Sequence, residues 1–146
     1  MKRRPTGDMA CSVARASDVI GDPWTLIILR DAMLGVGRFD GWVRRNGIPR
    51  ATLSARLQHL VEHGVLVRED DRYELTPKGR GLNPVIITLM QWGDRWERDD
   101  PPPSHFVDSD TGRVIEPVLV DRRTGTPLAD LRVHTVGPIT EGITRS

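Results

Sequence analysis

The sequence has few of the residues that mark specialised classes of protein. A single cysteine, Cys11, excludes an intrachain disulfide framework and a zinc site built from several cysteines. No apolar run exceeds the four residues Leu26–Leu29, far short of a membrane span. The basic start, MKRRPTGDMACSVARA, lacks the apolar segment of a signal peptide, so we expect a cytoplasmic protein without a membrane partner.

The sequence also has almost no excess of charge of either sign, because 21 Lys and Arg are nearly balanced by 20 Asp and Glu, which leaves a net charge of +1. Bulk charge therefore gives no sign of nucleic-acid binding, and any basic surface must be local. The stretch between Asp40 and Glu62 is such a place, since it contains no acid and four arginines: Arg44, Arg45, Arg50 and Arg56.

The 146 residues suffice for one domain with its own core. Residues 1–10 are predicted to form a flexible arm, whose Lys-Arg-Arg run is either solvated, which we favour, or in contact with phosphates. Apolar periodicity and turn residues predict an ordered series of elements: helices over 12–20, 24–34, 39–45 and 49–63, a hairpin over 65–76, and a helix from 77 to about 98 that Pro84 breaks or kinks.

This order predicts a winged helix-turn-helix, a mainly α fold with a β-hairpin wing, over residues 11–100. Pro101–Pro103 then mark a linker. In the remainder, 104–146, DSDTGRVIEPVLV is followed by DRRTGTPLADLRV, with Asp, Thr-Gly and a final valine recurring. We therefore expect a small β-rich C-terminal extension with short strands and a duplicated turn.

The helix over 49–63 is predicted to seat its leucines on the core and to present its polar face to the major groove of DNA. Arg50, Thr52 and Arg56 are expected at the centre of that face, with Ser54 and Gln58 towards its sides. Several basic residues are expected to contact phosphates: Arg44, Arg45, Arg68, Arg72 and Lys78. The alternatives are a solvated surface helix, or a winged helix that binds proteins instead of DNA.

Three motifs in combination, DVIGDPWTLIILRD, LSARLQHLVEHGVL and YELTPKGR, resemble HxlR-type transcriptional regulators, relatives of the MarR group. The resemblance runs from Cys11 to Trp96 and implies a homodimeric winged-helix DNA-binding protein, often a repressor and sometimes an activator. We expect such a homodimer to act on a pseudo-palindromic operator. The resemblance places the recognition helix at about 50–62 and the wing at 65–75. Some members sense electrophiles or oxidants through a cysteine at the position of Cys11.

Cys11 is thus a candidate redox sensor at the start of a helix, with Arg15 one turn on; the alternative is a small buried side chain. A homodimer interface is expected on the apolar arc of the last helix with part of the first: Val13, Val85, Leu89, Trp92 and Trp96. The alternative is that the C-terminal extension covers that arc within one chain. Aromatic residues such as Trp42 are expected in the core, although an unidentified small-molecule effector could bind among them.

The extension also resembles zinc-ribbon knuckles, but Asp110-Thr111-Gly112 and Arg123-Thr124-Gly125 stand where cysteines are needed. Only His105 and His134 remain as zinc ligands there, so we expect no metal and no cofactor. His59 and His63 lack further ligands and are assigned to packing or phosphate contact. No catalytic grouping is found, and an enzyme is not expected.

Overall fold

The computed structural model describes residues 11–137, so the predicted arm over 1–10 and the chain from residue 138 on lie outside the described residues. The chain divides into two compact units, one ending at Ile86 and the other beginning at Ile87. No helix of the described part is long and apolar enough to cross a membrane.

The first unit has the element order of a winged helix-turn-helix, which confirms the predicted fold class. The elements in chain order are α1 (Ser12–Ile20), α2 (Pro23–Met33), α3 (Phe39–Asn46), α4 (Arg50–Glu62), β1 (Leu66–Glu69), β2 (Arg72–Leu75), α5 (Pro77–Arg80) and α6 (Asn83–Trp96), which continues into the second unit.

Helix α4 is anchored by one stripe of leucines. Leu53, Leu57 and Leu60 are fully buried, and their spacing puts them on one side of the helix. The same core contains Ile28 of α2 and Trp42 of α3, whose indole Nε1 donates to the Ile28 carbonyl at 3.2 Å. Burial of each leucine contributes about 1.5–3 kcal/mol, so this stripe determines which side of α4 faces solvent.

The ends of the helices follow the predicted breaks. Asp22 is the N-cap of α2 and accepts a hydrogen bond from the Thr25 amide at 3.2 Å, with Pro23 in the first helical position. Gly47 ends α3 with φ 63°, a left-handed conformation that glycine adopts without steric cost. The chain can therefore turn sharply from α3 into α4.

A buried carboxylate joins α2 to α3. Oδ1 of Asp31, a fully buried residue, accepts from Nε and Nη2 of Arg30 at 3.0 and 2.9 Å. Its Oδ2 accepts from Nδ2 of Asn46 at 2.6 Å, and Nε of Arg45 lies 3.4 Å away. Nothing in the periodicity of the sequence marks Asp31 as buried. Its hydrogen bonds and ion pairs offset the cost of burying a charged carboxylate in the core.

The wing is an antiparallel hairpin joined to the loop before α3. Leu66 pairs with Leu75 and Glu69 with Arg72, around a two-residue turn in which Asp70 has φ 54°. The Tyr73 amide donates to the Gly37 carbonyl at 2.7 Å, so the α2–α3 loop pairs with β2. Leu66 is the buried residue of strand β1, whereas Val67 is exposed.

The predicted helix from residue 77 is broken, as expected. Thr76 caps the short α5 by accepting from the Gly79 amide at 3.1 Å, and α6 begins again at Asn83. Pro84 lies in the first turn of α6, where its missing amide hydrogen removes no helical bond.

In the second unit, β3 (Phe106–Val107) and β4 (Val114–Ile115) form a minimal hairpin, with an isolated bridge between Val120 and Pro127. The duplicated segment forms two equivalent turns. The amides of Gly112 and Gly125, at φ 68° and 70°, donate to the carbonyls of Asp108 and Asp121 at 2.7 and 2.8 Å.

Each turn is also closed by its leading carboxylate. Oδ1 of Asp108 accepts from the Asp110 amide at 2.8 Å, and Oδ1 of Asp121 accepts from the Arg123 amide at the same distance. The amides of Asp110 and Thr111 lower the pKa of Asp108 below its ordinary value of 3.8, because they stabilise the ionised carboxylate. Within residues 11–137 no group of three or more His, Cys, Asp or Glu could hold a metal ion.

Replacing Asp31 with alanine should lower the free energy of unfolding by about 3 kcal/mol, since Arg30 and Asn46 lose a buried acceptor. We place the loss at the lower end of the usual range because Arg30 is 31% exposed to water. Urea unfolding measures it. Asp40→Ala is the matched control, because its exposed pair with Arg50 contributes at most about 1 kcal/mol. Equal losses in the two variants would contradict the assigned role.

Candidate nucleic-acid interface

The outer face of α4 is lined by small and polar residues. Ala51, Ser54, Ala55 and Gln58 are exposed, whereas Thr52 and Arg56 are half-buried at its flank. The expected arrangement, with Thr52 and Arg56 central and Ser54 and Gln58 at the sides, is therefore wrong. Helical spacing alone does not produce this difference, because at about 100° per residue Thr52 is about as far from the centre of the leucine stripe as Ser54 is. Their different exposure therefore comes from tertiary packing.

Arg50, at the first turn of α4, is exposed but engaged. Its Nη1 donates to Oδ1 of Asp40 at 2.9 Å, and its guanidinium lies 4.8 Å from the ring centroid of Phe39. Both members of the ion pair are mostly exposed, so the pair is weak and can exchange with another anion.

Arg56 points towards the start of α2. Its Nε lies 3.2 Å from Oδ1 of Asp22, but the N–H is not aligned for a hydrogen bond, so the contact is an ion pair alone. A guanidinium has five N–H donors, and those of Arg56 that Asp22 does not face remain able to bind a second anion.

The other predicted phosphate contacts are on α3, the wing and α5. Arg44 and Arg45 are exposed on α3, and Arg68 donates to the Asp70 carbonyl at 3.1 Å. The guanidinium of Arg72 lies close to the α2–α3 loop, since a Cβ on Gly37 would be 3.2 Å from its Nη2. Lys78 donates to the His63 carbonyl at 2.6 Å and so caps the C-terminal end of α4.

Two further residues contribute contacts near the interface, and the sequence pattern had not singled out the first of them, Arg38. Arg38 forms an ion pair with Asp71 at the wing tip, which holds the loop before α3 against the wing. His59 of α4 contacts the carbonyls of Asp18 and Val19 through Nε2 at 3.1 Å, which joins α4 to the end of α1. Of the two roles expected for His59, packing or phosphate contact, these contacts favour packing.

The residues expected at a dimer interface are exposed. On α6 the exposed fractions of Trp92 and Trp96 are 55% and 63%, and Val85 and Leu89 are also exposed. Val13 on α1 is 72% exposed. Cys11 is half-buried and stands at the N-cap of α1.

Residues 19–101 match the model of the HxlR-like helix-turn-helix family. The chain belongs to this family. HxlR-family proteins are transcriptional regulators, a class that implies DNA binding and is not typically enzymatic. The matched residues include all of α2, α3, α4 and the wing, so the DNA-binding elements of the family lie in the first unit described above.

Individual relatives agree with the family. An uncharacterised HTH-type transcriptional regulator of Mycobacterium tuberculosis is 43% identical to this HxlR-family chain over 122 residues, which cover 78% of this chain and 77% of that protein. The crystal structure of PA1607, a candidate transcription factor, is 35% identical, covers 90% of this chain and 99% of its own, and has a TM-score of 0.77. The redox regulator HypR in its oxidised form is 31% identical, covers 62% of this chain and 100% of its own, and has a TM-score of 0.57.

Proposed function

We propose that the protein is a sequence-specific DNA-binding repressor that acts as a homodimer on a pseudo-palindromic operator. The observation that carries the proposal is the outer face of α4. This face presents Ala51, Ser54, Ala55 and Gln58, with Arg50 at its start and no acid between residues 41 and 61. Small side chains allow a helix to approach base edges closely, and the major groove accommodates one α-helix.

Arg50 is the proposed base contact at the start of the helix, with Ser54 and Gln58 along its outer face. Thr52 and Arg56 remain proposed contacts at the flank, where Arg56 would reach a base or phosphate while still close to Asp22. Arg50 would exchange Asp40 for DNA. Phosphate contacts are proposed for the basic residues around the helix: Arg44, Arg45, Arg68, Arg72 and Lys78.

We propose dimerisation through α6, with a contribution from α1. Val85, Leu89, Trp92 and Trp96 recur at intervals of four, three and four residues, so they form one apolar strip. Large exposed aromatic residues in a strip are typical of an interface. A two-fold dimer also matches a two-fold operator, since each subunit then reads one half-site.

Repression is the proposed sign because a dimer bound across the operator blocks other proteins from the same DNA. The alternative is a winged helix that binds another protein without specific DNA recognition. Selection of bound fragments from a random duplex pool discriminates between them. A motif with two-fold symmetry supports the proposal, and an unenriched pool overturns it; a template with the selected site then gives the sign in a transcription assay.

A redox input through Cys11 is proposed as well. HypR is named as a redox regulator, and Cys11 is the N-cap of α1, the helix that also carries the exposed Val13. A change at the thiol would therefore act next to the proposed interface and could alter the separation of the two α4 helices. Two recognition helices must match a groove repeat of about 34 Å, so a small displacement suffices to weaken binding.

Arg50→Ala should weaken binding to the selected operator by about 1–3 kcal/mol and relax its sequence preference, because a base contact is lost. Asp40→Asn should strengthen binding, since Arg50 no longer needs to leave a carboxylate. Fluorescence anisotropy with labelled operator measures both. Arg122→Gln removes one charge from an exposed turn of the second unit and should leave affinity unchanged. Opposite shifts for Arg50→Ala and Asp40→Asn are required; weakening by both would contradict the exchange.

Trp92→Glu should convert a dimer into a monomer at micromolar concentration, because two buried carboxylates would face each other across the two-fold axis. Sedimentation equilibrium measures the mass. Val133→Glu, which adds the same charge at an exposed residue of the extension, should leave the dimer intact. If the parent protein were monomeric under these conditions, the proposed dimer interface would be contradicted.

Alkylation of Cys11 with iodoacetamide should change operator affinity by about 5-fold or more, the lower limit of typical coupling between sites. Cys11→Ser protein treated in the same way is the control and should keep its affinity. Complete modification, verified by mass spectrometry, with unchanged affinity would rule out thiol sensing.

A further inference from the structure

A cavity of about 310 Å³ opens on the first unit, between the α2–α3 loop, α3 and strand β2. Its charged lining residues are all basic: Arg38, Arg44, Arg45 and Arg72. The other lining residues are small and include Gly35, Gly37 and Gly41. Four arginines from three segments of the chain therefore line one space, and no acid is among its lining residues.

Two of the four arginines have their charge neutralised nearby. Arg38 is paired with Asp71, and Nε of Arg45 lies 3.4 Å from Oδ2 of the buried Asp31. Arg44 and Arg72 have no carboxylate within 4.0 Å in the part of the chain that the structure describes. The cavity thus holds an excess of positive charge that the protein itself does not balance.

The glycines bring the arginines together. Gly37 accepts from the Tyr73 amide at 2.7 Å, and a Cβ at Gly37 would be 2.9 Å from the Tyr73 carbonyl oxygen and 3.2 Å from Nη2 of Arg72. A larger residue would therefore push the wing and Arg72 away from α3. The close approach of β2 to the α2–α3 loop is what places Arg72 beside the α3 arginines.

We propose that this cavity is a binding site for a phosphate-type oxyanion. Guanidinium groups match the geometry of phosphate oxygens and bind them with charge-assisted hydrogen bonds. The same chemistry is offered by a phosphodiester of the DNA backbone and by a free phosphate. The inference deepens the proposed function, because in the first case the cavity fixes the position of one DNA phosphate, and in the second a soluble anion occupies a site beside α3.

The probe is inorganic phosphate, titrated at constant ionic strength into the full chain labelled with ¹⁵N. Saturable shifts are expected at the amides of Gly35, Gly37 and Gly41. Arg44→Gln should weaken the apparent Kd about 10-fold, in line with loss of one charge-assisted hydrogen bond, and Arg72→Gln likewise. Arg122→Gln, with the same loss of charge in the second unit, should match the parent protein.

Arg44 is exposed on α3 without a side-chain partner among the described residues, so its replacement should not disturb folding. If the Arg72→Gln variant unfolds, the phosphate affinity of Arg44→Gln alone tests the site. Arg44→Lys keeps the charge without the planar fork and should bind phosphate with intermediate affinity. Absence of saturable shifts, or equal weakening by Arg44→Gln and Arg122→Gln, overturns the site.

Repeating the titration with saturating duplex DNA distinguishes the two sources. Loss of the phosphate-induced shifts assigns the cavity to a backbone phosphate, and persistence assigns it to a free anion. DNA binding without any phosphate site defeats this inference and leaves the proposed function intact. A phosphate site that depends on Arg44 in a protein that never binds DNA defeats the proposed function and leaves the site.

Discussion

The structure depends first on a carboxylate held out of water. Asp31 has a charge that is costly to bury, and hydrogen bonds from Arg30 and Asn46, with the guanidinium of Arg45 nearby, offset that cost. Because its donors come from both α2 and α3, the network fixes the relative position of these helices. Helix α4 is packed on the same two helices, so the orientation of its outer face is set by a contact some distance away.

Several cations around that face are paired with an acid of the protein itself. Arg50 is paired with Asp40, Arg56 with Asp22, and Arg38 with Asp71. The unbound surface is therefore less basic than the acid-free stretch of sequence indicates. Under the proposed function, DNA phosphates and bases compete with these carboxylates for the arginines. This competition lowers the affinity for nonspecific DNA, so the preference for the operator depends more on the DNA groups that match the arginines well.

Much of the fold followed from the sequence because its signals are local. The Asp22-Pro23 cap, the left-handed Gly47 and the leucine spacing each depend on neighbouring residues, and the helices and wing occur where expected. The surroundings of the site residues were harder to predict, since Asp22, which faces Arg56, and Gly37, which lies near Arg72, are distant from them in sequence. The burial of Asp31 is likewise a property of packing. The partial burial of Thr52 and Arg56 is also set by packing, so the expected centre of the outer face of α4 was wrong.

The paired turns of the C-terminal extension have a consequence for how that region tolerates change. In each turn one aspartate binds the amides of its own loop, so neither turn uses a ligand from the other. If both loops bound one central ion, replacing a single ligand would destabilise both of them. Here replacing Asp108 leaves the hydrogen bonds of the Asp121 loop in place, so the two loops can diverge in sequence independently.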